Sequence, residues 1–84
     1  MTYRDDRALR LARQQFPPIW VIYDHPRDYP DGYVVRVWYG MHAWPEATRV
    51  ATIDAAREYA QRCGACVLMP RDASDDPVIA ESWI

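Results

Sequence analysis

The stretch that most constrains the fold lies at residues 19–39, where two runs rich in Val, Ile, Trp and Tyr flank a segment of turn-forming residues. Such side chains favour β-strands, whereas Pro26, Pro30 and the Asp31-Gly32 pair between them are typical of turns. We therefore predict two antiparallel strands, residues 19–23 and 33–39, joined by a long acidic loop.

The faces of these strands differ in polarity. Successive side chains of a strand point to opposite faces, and in residues 19–23 both sets of side chains are apolar. This predicts a central or covered position in a sheet. In the second strand Arg36 shares a face with Val34 and Trp38, so we expect that face to be partly wet.

Two helices are predicted around this hairpin. Residues 3–15 are typical of a helix with Thr2 as N-cap and Asp5 and Asp6 in its first turn, and Pro17-Pro18 ends it. Its apolar face would carry Ala8, Leu9, Ala12 and Phe16. The four arginines at three-residue spacing form a basic flank, which we interpret as a solvated face, with a contact surface as the alternative.

The second helix is predicted over residues 52–63, with Thr52 as N-cap and Gly64 as C-cap. Tyr59 lies on its apolar face. The remaining expectations are a loop at 40–45, a short edge strand at 48–51 and two strands at 65–69 and 78–83.

Together these elements predict a single small α+β domain over residues 1–84. Residues 1–16 would be an N-terminal helical arm, and residues 17–84 a ββαββ antiparallel sheet with a helix packed on one face. The 4 Trp, 6 Tyr and 1 Phe can supply a core without a metal or a disulfide. No apolar run is long enough to span a membrane and no signal-peptide pattern occurs, so we expect a cytoplasmic protein.

Charge is unevenly distributed along the chain. The net charge is −2, with +2 over residues 1–16 and −3 over residues 70–84. Because a uniform basic patch is absent, direct binding to nucleic acid is disfavoured.

Cys63 and Cys66 have the spacing of a redox pair or of half a zinc site. They fall at the predicted C-terminus of a helix, where the helix dipole opposes thiolate formation. We interpret them as buried structural cysteines; a redox pair, or a zinc site completed by His25, His42 or a carboxylate, is the alternative.

His25 lies among carboxylates that could form an acid–base pair or a hard-metal site. We interpret Asp24 and Asp28 instead as caps of loop backbone N–H groups, with His25 bonded locally. No calcium-binding loop occurs, and no Ser or Cys nucleophile has an identifiable partner. We therefore predict no enzymatic activity, no catalytic residue, no metal site and no cofactor.

The carboxylates of two loops suggest a binding surface instead. Acidic side chains on a rigid protein can stand in for phosphates and occupy Arg/Lys clusters that bind nucleic acid, although polar loops are often acidic without a function. The candidate partner-binding residues are Asp24, Asp28, Tyr29, Asp31, Trp44, Asp72, Asp75, Asp76 and Trp83.

Several motifs resemble a family of short proteins from temperate phages, prophages and other mobile elements. They are Tyr23-Asp24-His25-Pro26, Asp28-Tyr29-Pro30-Asp31, Tyr33-Val34-Val35-Arg36, and Asp75-Asp76-Pro77-Val78-Ile79 with Glu81 and Trp83. The resemblance covers residues 19–39 and 66–84, and it attaches to no catalytic residue. The N-terminal helix and the cysteine pair depart from it, so nothing about them carries over.

This resemblance implies a genetic context in which small acidic proteins include anti-defence factors, notably anti-CRISPR proteins. We expect a non-enzymatic inhibitor that acts in the cytoplasm of a bacterial host on a protein or ribonucleoprotein complex. Its expected target is the DNA-binding surface of a type I CRISPR effector complex, through a Cas subunit. The alternative is a structural or regulatory accessory module of the phage; a small metal-binding or hydrolytic enzyme is a third possibility.

Overall fold

A computed structural model describes residues 6–72 and 74–84. Within this part of the chain, two helices and a six-stranded antiparallel sheet form one α+β domain, which confirms the predicted fold class. In chain order the elements are α1 (Asp6–Gln15), β1 (Pro18–Asp24), β2 (Tyr33–Tyr39), β3 (His42–Ala43), β4 (Thr48–Val50), α2 (Ile53–Arg62), β5 (Leu68–Met69) and β6 (Ile79–Trp83).

The predicted hairpin forms the centre of the sheet. β1 and β2 pair antiparallel along their whole length, from Pro18 opposite Tyr39 to Asp24 opposite Tyr33. The strand order is β3-β2-β1-β6-β5, with β4 also pairing with β2. β1 therefore has a neighbour on each side, as its two apolar faces predicted.

Two short strands share the outer edge of β2. β4 pairs with its N-terminal half, which confirms the predicted edge strand, and β3 pairs with Trp38 and Tyr39 at the other end. The prediction of a continuous loop over residues 40–45 is wrong, because Gly40 at φ 62° turns the chain back into β3. Glycine adopts this backbone region without the steric cost of a Cβ atom.

α2 begins and ends as its capping residues predict. The Thr52 hydroxyl accepts a hydrogen bond of 3.1 Å from the Ala55 N–H. At the other end, Gly64 at φ 108° donates to the Gln61 carbonyl at 3.0 Å, and the Ala65 N–H donates to Ala60 at 3.1 Å. This pair of bonds is a Schellman motif, which satisfies carbonyls that the helix end would otherwise leave unpaired.

α2 packs across one face of the sheet, as predicted. Its small residues Ala56 and Ala60 are fully buried and lie against Ile22, Val35 and Trp83 of the central strands. Alanines at the contact allow the helix backbone to approach the sheet closely, so the large side chains of the core come from the strands.

α1 docks at the end of β2 where the hairpin to β3 turns. Ala12 is buried, and the Phe16 ring, although partly exposed, covers Gly40. The predicted N-cap Thr2 and Asp5 lie outside the described residues. None of the helices within residues 6–72 and 74–84 is long and apolar enough to cross a membrane.

The C-terminal hairpin forms with a shorter first strand than expected. β5 contains only Leu68 and Met69, although the N–H groups of Cys66 and Val67 both donate to the Ile84 carbonyl. The predicted strand over residues 78–83 is confirmed as β6. It leaves regular pairing with β1 at a bulge between Ile22 and Tyr23.

Candidate functional site

The two acidic loops, far apart in sequence, lie at the same end of the sheet. Residues 25–32 follow β1, and residues 70–78 precede β6, which runs antiparallel to β1. At the end of β1, the Asp24 N–H donates a hydrogen bond of 2.7 Å to the Val78 carbonyl, so the two loops start beside each other. We call this surface the acidic end; it contains the carboxylates of Asp24, Asp28, Asp31, Asp72, Asp75 and Asp76.

Backbone bonds and tight packing fix the first loop. The His25 N–H donates to the Gly32 carbonyl at 2.8 Å, and the Tyr29 N–H donates to Pro26 at 2.9 Å. A Cβ atom at Gly32 would lie 2.5 Å from the Val50 carbonyl oxygen, so β4 presses against this loop. Pro26, within the loop, is buried. The backbone of this loop is therefore ordered, so the points at which its side chains leave the chain are fixed.

His25 holds a backbone conformation that non-glycine residues rarely adopt, with φ 47°. Its Nδ1 contacts the Asp24 carboxylate, and its ring lies edge-on to Tyr33 with centroids 5.1 Å apart. His25 thus bonds locally, as the simpler interpretation of this segment held. Asp24 pairs with the imidazole rather than capping a backbone N–H group.

Asp28 and Asp31 are exposed, and neither carboxylate makes a hydrogen bond or ion pair with any described residue. The predicted backbone cap at Asp28 is therefore wrong. Asp28 instead lines a shallow cavity on the sheet face opposite α2, beside Tyr23 and Arg36. Both carboxylates can therefore be reached from solvent.

The carboxylates of the second loop shape the loop itself. Asp72 accepts hydrogen bonds from the Ser74 N–H at 2.9 Å and the Ser74 hydroxyl at 3.0 Å, and these bonds lower the pKa of Asp72. Asp75 accepts from the Asp72 N–H, and Asp76 accepts from the Val78 N–H, both at 3.0 Å. These three residues contribute negative charge to the acidic end and also fold the loop.

The three aromatic candidates have different environments. Tyr29 lies in the first acidic loop with the Arg49 guanidinium 5.3 Å above its ring. Trp44 lies elsewhere, beside the C-terminal half of β2, where its backbone N–H donates to the Val37 carbonyl at 2.8 Å. Trp83 is 9% exposed and belongs to the core, so its indole offers little surface to a partner. Only Tyr29 joins the acidic end.

Both cysteines are exposed free thiols, so the prediction that they are buried is wrong. The reason lies in the helix end: after Gly64 reverses the chain, Ala65 enters the core, while Cys63 and Cys66 on either side of it face outward. Within residues 6–72 and 74–84, no three His, Cys, Asp or Glu side chains converge to hold a metal ion.

Sequence analysis missed a second feature, a cavity between α1, α2 and the sheet. It brings together Arg13, Trp20, Tyr39, Trp44 and Tyr59. These residues come from separate segments of the chain. The only sequence signal for the cavity was the high aromatic content, which we had attributed to the core.

Comparison of the chain with protein-family models, with curated proteins and with solved structures gave no match. The function therefore has to be inferred from the geometry and charge of the chain itself. Its clearest feature is the fixed cluster of carboxylates at one end of the sheet.

Proposed function

We propose that this chain is a non-enzymatic binding protein of a phage or mobile element, and that it inhibits a host defence factor through its acidic end. The proposed target is a basic, DNA-binding surface of a type I CRISPR effector complex in the host cytoplasm. The phage or mobile-element context is itself part of the proposal, since it rests on motifs in residues 19–39 and 66–84 and no family model or curated protein matches the chain.

One observation carries the argument. The hydrogen bond between Asp24, at the end of β1, and Val78 places the two acidic loops side by side at one end of the sheet. On that surface Asp28 and Asp31 have no partner among the described residues. An exposed carboxylate with no partner among the described residues, on a loop with an ordered backbone, is suited to meet a cationic side chain on another molecule.

Charge and rigidity both favour binding to an arginine- or lysine-rich surface. Such a surface normally binds the phosphates of nucleic acid, and carboxylates at fixed positions can neutralise the same cations. Because the first loop is already ordered by its backbone bonds, binding does not have to pay the entropy of ordering it.

The test is charge reversal at the acidic end. Asp28→Arg with Asp31→Arg should weaken binding to the type I effector complex by about 2–5 kcal/mol, because each change leaves a partner cation facing a like charge. Added salt should weaken wild-type binding, since exposed charges are screened over about 8 Å at physiological ionic strength. Surface plasmon resonance at several salt concentrations would measure both effects.

Glu58→Arg provides the matched control, because Glu58 is exposed on α2 and lies outside both loops. It should leave binding nearly unchanged. If affinity is indifferent to salt and to the Asp28 and Asp31 reversals, the acidic end is not the binding surface.

Plaque assays separate this proposal from its alternative, an accessory module of the phage with no defence target. Expression of the chain should restore plaque formation on a host with an active type I CRISPR system, and the Asp28/Asp31 double variant should not restore it. Equal plaque counts with and without the chain would instead favour the accessory module.

A further inference from the structure

A cavity of about 320 Å³ lies on the α2 side of the sheet, along the half of β2 that points away from the acidic end. Small-ligand sites typically begin at about 300 Å³. Its lining includes the four aromatic side chains Trp20, Tyr39, Trp44 and Tyr59, together with Arg13 and Glu46.

The aromatic side chains are arranged as two edge-to-face pairs. The rings of Trp20 and Tyr59 have centroids 6.2 Å apart at an interplanar angle of 82°. Those of Tyr39 and Trp44 are 5.7 Å apart at 76°. All four residues keep part of their surface exposed. Because the face of an aromatic ring carries negative potential, a cavity lined by several rings favours a positive group.

The cavity already holds a cation from its own chain. The Arg13 guanidinium, in the last turn of α1, lies 5.5 Å from the centroid of the Trp44 ring. Glu46 is exposed at the rim, and its carboxylate makes no hydrogen bond or ion pair with any described residue. An aromatic surface that accepts a guanidinium therefore lies beside a carboxylate with no cation of its own.

We propose that this cavity binds a small organic cation with a quaternary ammonium or guanidinium head group. The head group takes the face of Trp44 that Arg13 now covers, and Glu46 offsets its charge. Such head groups are weakly hydrated, so aromatic faces can replace their water at low cost. Arg13 competes for the same ring and limits the affinity of the site. This site is separate from the acidic end and does not depend on its function.

Choline is a suitable first probe, with methylguanidinium as the second. In a titration of ¹⁵N-labelled protein, choline should shift the indole signals of Trp44 and Trp20. The signal of Trp38 serves as an internal control, because Trp38 projects from the other sheet face and donates to the Tyr23 hydroxyl at 3.0 Å. A Trp44→Phe variant assigns the Trp44 signal.

The decisive comparison uses the neutral carbon isostere of choline, in which a tert-butyl group replaces the trimethylammonium group. It has nearly the same shape without the charge and should not bind. Equal binding of the isostere would overturn the proposal, and so would unchanged Trp44 and Trp20 signals with both cations.

Variants test the roles of the two charged residues. Arg13→Gln should tighten choline binding about two- to fivefold, the factor expected from one exposed cation–π contact. Arg10→Gln, one turn earlier on α1 and outside the cavity, should have no effect. Glu46→Gln should weaken binding about two- to fivefold. Unchanged or weaker binding by Arg13→Gln, in a variant that melts like the wild type, would also overturn the proposal.

Discussion

Glu81 is a largely buried carboxylate that ties β6 to α2. Arg57 donates to it from Nε at 2.9 and 3.1 Å and from a terminal nitrogen, and the Trp83 indole donates at 3.1 Å. A terminal nitrogen of the same guanidinium donates to the Asp54 carboxylate at 3.3 Å. The hydrogen bonds from Arg57 lower the pKa of Glu81 below its ordinary value of 4.5, although burial opposes them.

Glu81→Gln should lower the free energy of unfolding at neutral pH by about 1–2 kcal/mol. The loss is smaller than for a fully buried pair because the Arg57 side chain is 40% exposed. The carboxylate binds protons more weakly in the folded protein than in the unfolded chain. Its contribution is therefore complete above about pH 4.5 and is lost as the pH falls through the folded pKa.

Urea denaturation at neutral pH and near pH 3 measures this difference. The difference in free energy of unfolding between the wild type and Glu81→Gln should become smaller in acid. Glu58→Gln, at an exposed site on α2, should be as stable as the wild type at both pH values. A gap that does not change with pH would show that Glu81 contributes by packing rather than by its charge.

At the scale of elements, Gly64 at the end of α2 and Gly32 in the first acidic loop are needed for different reasons. Gly64 needs its positive φ to close the Schellman motif, yet open space surrounds the position where a Cβ would lie. Gly64→Ala should therefore cost about 1–2 kcal/mol from the backbone alone. Gly32 has no room, since a Cβ would meet the Val50 carbonyl at 2.5 Å and Tyr29 at 3.0 Å.

Gly32→Ala should consequently destabilise the protein more than Gly64→Ala, and it should disturb the first acidic loop as well. Thermal denaturation of the two variants gives the order of stability, and amide chemical shifts of residues 25–32 report on the loop. The reverse order would mean that the loop yields easily, which contradicts its role as a fixed display for Asp28 and Asp31.

Tyr59 tests how α2 is held to the sheet. Its ring packs edge-on against Trp20 and lies next to the buried core cluster. Tyr59→Ala should cost about 3 kcal/mol through the lost aromatic contact and the enlarged cavity. Tyr59→Phe keeps the ring and should cost much less. Chemical denaturation that finds the two variants equally stable would reject this packing.

Local patterns were sufficient to predict the longer elements. β1, β2 and α2 combine a clear periodicity with turn or capping residues at their ends, so they can be predicted without knowledge of their tertiary contacts. β3 was missed because two residues carry no periodicity. The exposure of Cys63 and Cys66 depends on the course of the chain after Gly64, and residue type alone predicts burial for free cysteine.

The candidate site was only partly predictable, because loop composition identifies carboxylates but not their bonds. Asp28 and Asp72 look alike in sequence, yet Asp72 folds its own loop and Asp28 has no partner among the described residues. The two loops lie at the same end of the sheet because β1 pairs antiparallel with β6. Predicting each hairpin separately does not reveal this pairing.

Over the described residues, negative charge predominates at one end of the sheet, although Arg27 and Arg71 also lie in the two acidic loops. α1 carries Arg7, Arg10 and Arg13 and ends beside Gly40, whereas the acidic end lies at the opposite end of β2. Concentrating carboxylates at one end raises the free energy of the folded state through mutual repulsion. Binding surfaces often keep residues that lower the stability of the folded protein. The free energy of unfolding of charge-removing variants therefore shows whether these carboxylates stabilise the fold.

Asp28→Asn with Asp31→Asn should therefore raise the free energy of unfolding slightly, by about 0.2–0.5 kcal/mol per site at low salt. The amides remove negative charge, and no described hydrogen bond is lost with them. The gain should vanish near 1 M salt, where the screening length falls to about 3 Å. Denaturation by urea, which adds no ions, allows the comparison at both ionic strengths.

Asp76→Asn is the contrasting variant, because the Asp76 carboxylate accepts the Val78 N–H at 3.0 Å and an amide oxygen accepts less strongly than a charged one. It should be neutral or destabilising at both ionic strengths. If the Asp28 and Asp31 amides instead destabilised the protein at low salt, their carboxylates would serve the fold. The acidic end would then lose the property that suits it to a partner, namely charge at fixed positions that folding does not use.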